Sequence, residues 1–327
     1  MTTFDARRRH ALQQLGALGL TGLAATGARA QADRPIRFVL PVATASGVDT
    51  ITRAAQGALS KALGHPIVVE NQPGAGGILG TTTLVRSAPD GFTLSFVSNN
   101  HVIYPSVYKS LPFDPINDIT PIAIVGSTPL IVVVNPKVPA NNARELVALL
   151  KAKAGDMTYA SSGNGTILHL AAEMFVDEAG ATARHIPYKG VGPMLTDLIG
   201  GQVQIGVAAL PSVQQHLKSG ALRAIGTGAA QRLAAAPEIP TMVEQGMPGY
   251  LVEGWFGFIG PKGLLAADVK RLHDAVAVAF AAPEVTEAMA KQGNTISIST
   301  TEYAQQFFRS EMAKYAKLVK KAGIELQ

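Results

Sequence analysis

The 327-residue chain is 47% hydrophobic and 16% charged, with a net charge of +5 and no cysteine. This is the composition of a globular protein long enough for two domains. It excludes disulfides and lipidation at cysteine, and after residue 30 no Lys/Arg run interleaved with aromatics offers nucleic acid a surface.

Residues 1–30 read as an export signal. Arg7, Arg8 and Arg9 precede the mildly apolar stretch ALQQLGALGLTGLAA, and Ala28, Arg29 and Ala30 form an A-x-A cleavage pattern. The apolar stretch falls short of the roughly 20 residues needed to cross a bilayer. The arginines also fit a twin-arginine signal. Cleavage removes four Arg and one Asp and lowers the net charge from +5 to +2. The expectation is a soluble periplasmic protein beginning at Gln31.

In the mature chain, strands are expected at 36–41, 65–70 and 92–97, and helices over 51–63 and from the glycine loop at 74–77 through Arg86. Such alternation makes a parallel sheet with crossover helices. Pro105, Pro112, Pro115, Pro121 and Pro129 then break up 101–130, and the apolar run IVVVNP occupies 131–136. A second alternating set follows, with helices at 144–153, 166–179, 192–200 and 212–218 and strands at 157–160, 184–187, 203–208 and 222–227. The segment 249–260 reads as another extended crossing. Helices at 266–281, 284–292 and 301–321, with no strand set of their own, return to cover the first domain. The expectation is an α/β protein of two domains, 31–130 with 253–327 and 131–252.

Four strand ends pass into helices through small polar or glycine-rich residues: PVATASGVDT (41–50), NQPGAGGILG (71–80), TYASSGNGTILHLAAEMF (158–175) and PYKGVGPML (187–195). The first turn of a helix has backbone N–H groups without internal partners and the positive end of the helix dipole, so such a loop can hold an anion. Taken alone, the 158–175 loop reads first as an ordinary N-cap, with Ser162, Asn164 or Thr166 satisfying those groups itself. Four together point to a cleft lined with helix N-termini.

With APDGFTL, YPSVYKSLPFDP, LIVVVNP, LTDLIGGQVQ, LRAIGTG, PTMVEQGMPGY and WFGFIGPKG, these stretches run in family order across nearly all of the mature chain. In them the chain resembles the substrate-binding receptors of tripartite tricarboxylate transporters, the Bug-type periplasmic receptors. The resemblance implies a type II periplasmic binding-protein fold, two α/β domains joined by two crossing strands. It also implies closure on a small organic carboxylate and its delivery to a separate membrane permease; a monomer with no cofactor and no metal is expected. Ligand contacts are implied at Ala43, Ala45, Ser46 and Gly47 and at Gly74, Ala75, Gly76 and Gly77 in the first domain. In the second they are implied at Ser161, Ser162, Asn164, Gly165 and Thr166 and at Tyr188, Lys189 and Gly190. The loop ATASG departs from the family's more glycine-rich version by adding Cβ atoms at Ala45 and Ser46.

Further candidates are Asn99 and His101, which follow a strand end, and Asp49, expected as a helix cap because an acid repels a carboxylate. Ala208 stands where such receptors often carry an acid able to pair with a ligand ammonium, so a ligand without an amino group is expected. Lys189 reads as a cleft cation or a solvated turn lysine. Trp255 and Phe256 read as pocket wall or as core. His169 and Glu173 are four apart on one helix face with no third metal ligand near, so a structural hydrogen bond is expected. Ser106 and Lys109 form S-x-x-K without the S-D-N and K-T-G companions of serine acyl-enzymes. An exported acyl-enzyme is the alternative reading, beside a periplasmic sensor partner.

Overall fold

The computed structural model describes residues 34–324 and Leu326. The export signal expected over 1–30 lies outside the described residues.

The first lobe opens with β1 (Ile36–Leu40), α1 (Gly47–Leu63), β2 (Ile67–Asn71), α2 (Ile78–Val85), β3 (Thr93–Ser98) and the single turn α3 (Asn100–Ile103). The long strand β4 (Ile119–Val134) leads into a second lobe of α4 (Ala143–Ala152), β5 (Thr158–Ser161), α5 (Ile167–Glu178), β6 (Arg184–Pro187), α6 (Val191–Gly200), β7 (Ile205–Ala209), α7 (Leu210–Lys218) and β8 (Arg223–Thr227). β9 (Glu253–Pro261) returns to the first lobe, and α8 (Ala266–Ala281), α9 (Pro283–Lys291), β10 (Thr295–Ile296) and α10 (Thr301–Lys321) complete the chain.

The first lobe's strands run β2-β1-β3-β9-β4 and the second lobe's β6-β5-β7-β4-β8. In each, three parallel strands are followed by an antiparallel one whose chain has crossed from the other lobe or is about to cross. β4 belongs to both: residues 119–129 pair with β9, and 130–134 lie between β7 and β8. Covered on both faces, β4 is buried almost throughout, which explains a near-continuous apolar run where a half-exposed strand would alternate.

This strand corrects one expectation, since it continues through Pro121 and Pro129, where the prolines had suggested an interruption up to residue 130. Pro121 lies at a register shift against β9, and Pro129 lies where β4 leaves β9 for β7. A proline's missing N–H is tolerated at such irregular places. The closing helices also carry one strand of their own, the two-residue β10 paired with Gly126 and Ser127.

Phe38, Phe96 and Phe258, from three neighbouring strands, stack with centroids 5.0 to 5.7 Å apart in the core under α1, α8 and α9. Burying each contributes roughly 2–3 kcal/mol. On the other face, Phe308 and Tyr315 of α10 join a core that continues through β4 into the second lobe. Both cores brace the strand ends from which the loops between the lobes emerge.

Candidate functional site

A cavity of about 780 Å³ lies between the lobes, and residues from five helix starts form its wall. At α1, Ser46 is the N-cap: its Oγ accepts the Asp49 N–H at 3.2 Å, while Asp49 Oδ2 accepts the Ala45 N–H at 3.0 Å. This reciprocal cap is why the helix begins at Gly47, four residues before its apolar spacing becomes visible. At α2 no side chain caps the helix; Gly74, Gly76 and Gly77 all have positive φ, and a Cβ at Gly77 would strike the Pro41 carbonyl and the Tyr104 hydroxyl.

In the second lobe Thr166 caps α5, accepting the His169 N–H at 3.3 Å and donating to the Gly163 carbonyl at 2.8 Å. Gly190 precedes α6 with φ 112°, and a Cβ there would lie 2.7 Å from that of Ala43 across the cleft. α7 starts after Ala209, and its Ser212 hydroxyl donates to the Ala45 carbonyl at 2.8 Å, tying the lobes together. Asn100 Oδ1 makes a second tie, accepting the Ile167 N–H at 2.8 Å.

The wall is neutral except at one point. Among the described residues lining the cavity, Lys189 is the one with a formal charge, and no Asp or Glu reaches the surface. Tyr188 donates to Asp197 Oδ2 at 2.8 Å. Burial and that carboxylate push its hydroxyl up to about 12, so it stays neutral. Set among apolar side chains such as Ile51, Leu130, Ile167 and Trp255, the wall's polar groups are helix-start backbone, hydroxyls, amides and one ammonium, a set that suits an anion.

Most residues singled out from the sequence meet here: Ala43, Ser46, Gly47, the loop 74–77, Ser162, Asn164, Thr166, Asn99 and the turn 188–190 all line the cavity. Six do not. Ala45 lies outside the lining and holds Ser212 with its carbonyl. Ser161 and Gly165 turn away from the cavity, Ser161 toward His185 and Gly165 toward His169 and Val107. Asp49 is buried, its Oδ1 accepting from Arg53 and Asn71, in keeping with its expected capping role. His101 is buried against Phe113 and bonds the Pro115 carbonyl. Ala208 is fully buried on β7, and the next residue, Ala209, reaches the wall instead.

Other residues are constrained differently from their sequence reading. Asn99 lines the cavity, but its amide is occupied in bracing β3 to β9 and α10, through the Trp255 N–H, the Glu253 carbonyl and the Tyr315 hydroxyl. Trp255 and Phe256 are both wall and core, each under a tenth exposed. Asn100, Tyr108 and Ser212 were missed. The run AALPSV (208–213), which enters α7, resembles the helix starts of the other four loops and could have revealed Ser212; nothing marks Tyr108. Ser106 and Lys109 do not line the cavity, although Tyr108 between them does. No group of three His, Asp or Glu able to hold a metal occurs among the described residues.

Comparison with known proteins agrees with this architecture. The profile of the tripartite tricarboxylate transporter family receptor matches residues 51–324. The protein BugT of Bordetella pertussis is 34% identical over 296 residues, covering 90% of this chain and 91% of that protein. The periplasmic binding protein BugD superposes with a TM-score of 0.86 at 32% identity, over 90% of this chain and 99% of its own. An R. palustris protein solved with adipate gives 0.86 at 26% identity, over 90% and 99%. These relatives are solute-binding receptors rather than enzymes, and the fold is that of periplasmic binding proteins. The chain belongs to the receptor family of the tripartite tricarboxylate transporters.

Proposed function

We propose that the chain works in the periplasm as a monomer, captures a small organic carboxylate without an amino group, and hands it to a tripartite transporter permease. The observation that carries this reading is the composition of the wall: five helix starts and Lys189, with no carboxylate. A dicarboxylate can set one end against a helix N-terminus of each lobe, so the closed form gains the contacts that the open form lacks. The lobes, 31–130 with 253–327 and 131–252, would then hinge where β4 and β9 cross. An ammonium in the closed cavity would have no countercharge, at a cost of several kcal/mol. The buried Ala208 does not bear on this; the wall as a whole does. Adipate, present in the R. palustris relative, is a ligand of the expected class.

Melting curves with succinate, adipate, citrate, benzoate, aspartate and glutamate test the proposal. A ligand at one hundred times its Kd adds about 2.7 kcal/mol of stability. The expected result is a raised Tm with at least one amine-free acid. A larger rise with aspartate or glutamate than with every amine-free acid would overturn the amine-free assignment. No rise with any of them would overturn the carboxylate reading.

A further inference from the structure

Behind the loop joining β5 to α5 lies a polar stack that the anion site itself does not use. The rings of Tyr159 on β5, His185 on β6 and His169 on α5 are layered face to face. Centroids are 5.0 Å apart for Tyr159 and His185 and 3.7 Å for the two imidazoles, with interplanar angles of 14° and 10°. Glu173, one turn along α5, accepts the Tyr159 hydroxyl and lies 3.7 Å from His169 Nε2.

Each imidazole holds the loop at a different point. His169 Nδ1 accepts the Gly165 N–H at 3.0 Å. His185 Nε2 is 2.6 Å from Ser161 Oγ, which donates to the Gly163 carbonyl and accepts the Gly163 N–H. The loop is thereby divided: Ser162, Gly163, Asn164 and Thr166 face the cavity, while Ser161 and Gly165 face the stack.

From this division we infer that His169 is a positioning residue for the anion-binding loop, its unprotonated Nδ1 holding Gly165 in a left-handed turn so that Ser162, Gly163, Asn164 and Thr166 face the ligand. Gly165 has φ 65°, and its N–H points away from the cavity, where it needs an acceptor. A carboxylate acceptor would set a negative charge directly behind an anion site, whereas a neutral imidazole accepts without one. Accepting at Nδ1 leaves the proton on Nε2, toward Glu173. Burial is the main cause that brings His185 down to about 4.

Two substitutions separate acceptor from ring. His169→Asn keeps a carbonyl oxygen close to where Nδ1 lies; His169→Phe keeps the stacked ring and loses the acceptor. Residue-resolved amide exchange on the full mature chain without ligand is expected to show Gly165 exchanging about tenfold faster or more in the Phe variant. In the Asn variant it should stay within about threefold of the unmodified chain, with amides 170–176 of α5 unchanged in both. If Phe is not accommodated, His169→Leu serves the same arm. Equal Gly165 exchange with and without the acceptor would overturn the inference, as would an Asn variant as fast as the Phe variant or faster exchange throughout α5. The role in ligand binding rests on the carboxylate proposal, and adipate titrations of the two variants read it, with about tenfold weaker binding expected for Phe alone. Exchange is measured without ligand. A failure there sinks the positioning role, while expected exchange with no binding by any carboxylate sinks only the functional reading.

Discussion

The cavity has two walls made in opposite ways. On the first lobe, the loop Gly74–Gly77 presents bare backbone: three glycines and one alanine, all with positive φ, pressed against Pro41 and Tyr104. On the second lobe, the loop 161–166 presents hydroxyls and an amide and is held from behind by His169 and His185. One wall is shaped by the absence of side chains and the other by a buried polar network. The first should therefore fail when an atom is added, with a large loss of stability; the second should fail when a hydrogen bond is removed, with a smaller loss that shows in the loop and its ligand.

Gly77→Ala should give the largest effect. It adds a Cβ between a carbonyl and a hydroxyl at φ 123°, a conformation that L-residues rarely adopt. A loss of about 3 kcal/mol or more in urea denaturation is expected, the sum of strain and overpacking. A loss below about 1 kcal/mol would show that this wall yields, and the contrast between the lobes would collapse.

Acid comes next, and it strikes both lobes. Burial, opposed by the Pro115 carbonyl, holds His101 down to about 4, and His185 is held at a similar value. The unfolded chain takes up these protons first, near pH 6.5, so stability is complete above that pH and falls as the pH drops toward 4. For the fully buried His101 the loss is on the order of 3 kcal/mol by pH 4. Urea midpoints at pH 7.5 and 4.5 should differ accordingly, and His101→Leu should flatten the dependence. If the slope is untouched, the protons are taken up elsewhere.

Part of this contrast is legible in the sequence. Asp49 and Thr166 read as capping residues and act as such, and the four small-residue loops do converge on one cavity. What the sequence hides is the direction each residue faces. Ser161 and Gly165 read like Ser162 and Asn164, but their orientation depends on imidazoles from α5 and β6 that arrive only through tertiary packing. The end of β7 falls one residue beyond the expected strand, at Ala209, so the wall position passes from Ala208 to its neighbour. The prolines of 101–130 obscured both β4 and the segment carrying Tyr108, because whether a proline breaks a strand depends on the partner it faces.

Gly190→Ala probes where the walls meet. The added Cβ would lie 2.7 Å from Ala43 at φ 112°. The loss of stability should be about 1–2 kcal/mol, with ligand binding weakened about tenfold, because the contact exists only when the lobes are together. Small-angle scattering with a saturating carboxylate should show a smaller contraction than the unmodified chain gives; equal contraction would place the contact in both open and closed forms. Thr166→Val removes the cap of α5 and should cost about 1 kcal/mol in melting experiments. Calorimetry on the same variant separates capping from ligand contact, since affinity unchanged for the folded fraction leaves Thr166 a cap only.

The smallest effect, at Ala45, tests the contrast inside the first lobe. Ala45 and Ala75 are the two non-glycine residues with positive φ among the described residues, at 64° and 46°. The Ala45 backbone is held on both sides, its N–H by Asp49 and its carbonyl by Ser212 of the other lobe, so its conformation is imposed from outside. A Cβ in the left-handed region costs about 1–2 kcal/mol, and glycine's greater freedom in the unfolded chain takes back about 0.5–1. Ala45→Gly should therefore stabilise the protein by about 0.5 kcal/mol and leave carboxylate affinity unchanged, since Ala45 does not line the cavity. Tighter binding in the glycine variant would mean that the Ala45 Cβ hinders closure against Ser212. The first-lobe wall would then respond to an atom removed as well as to one added.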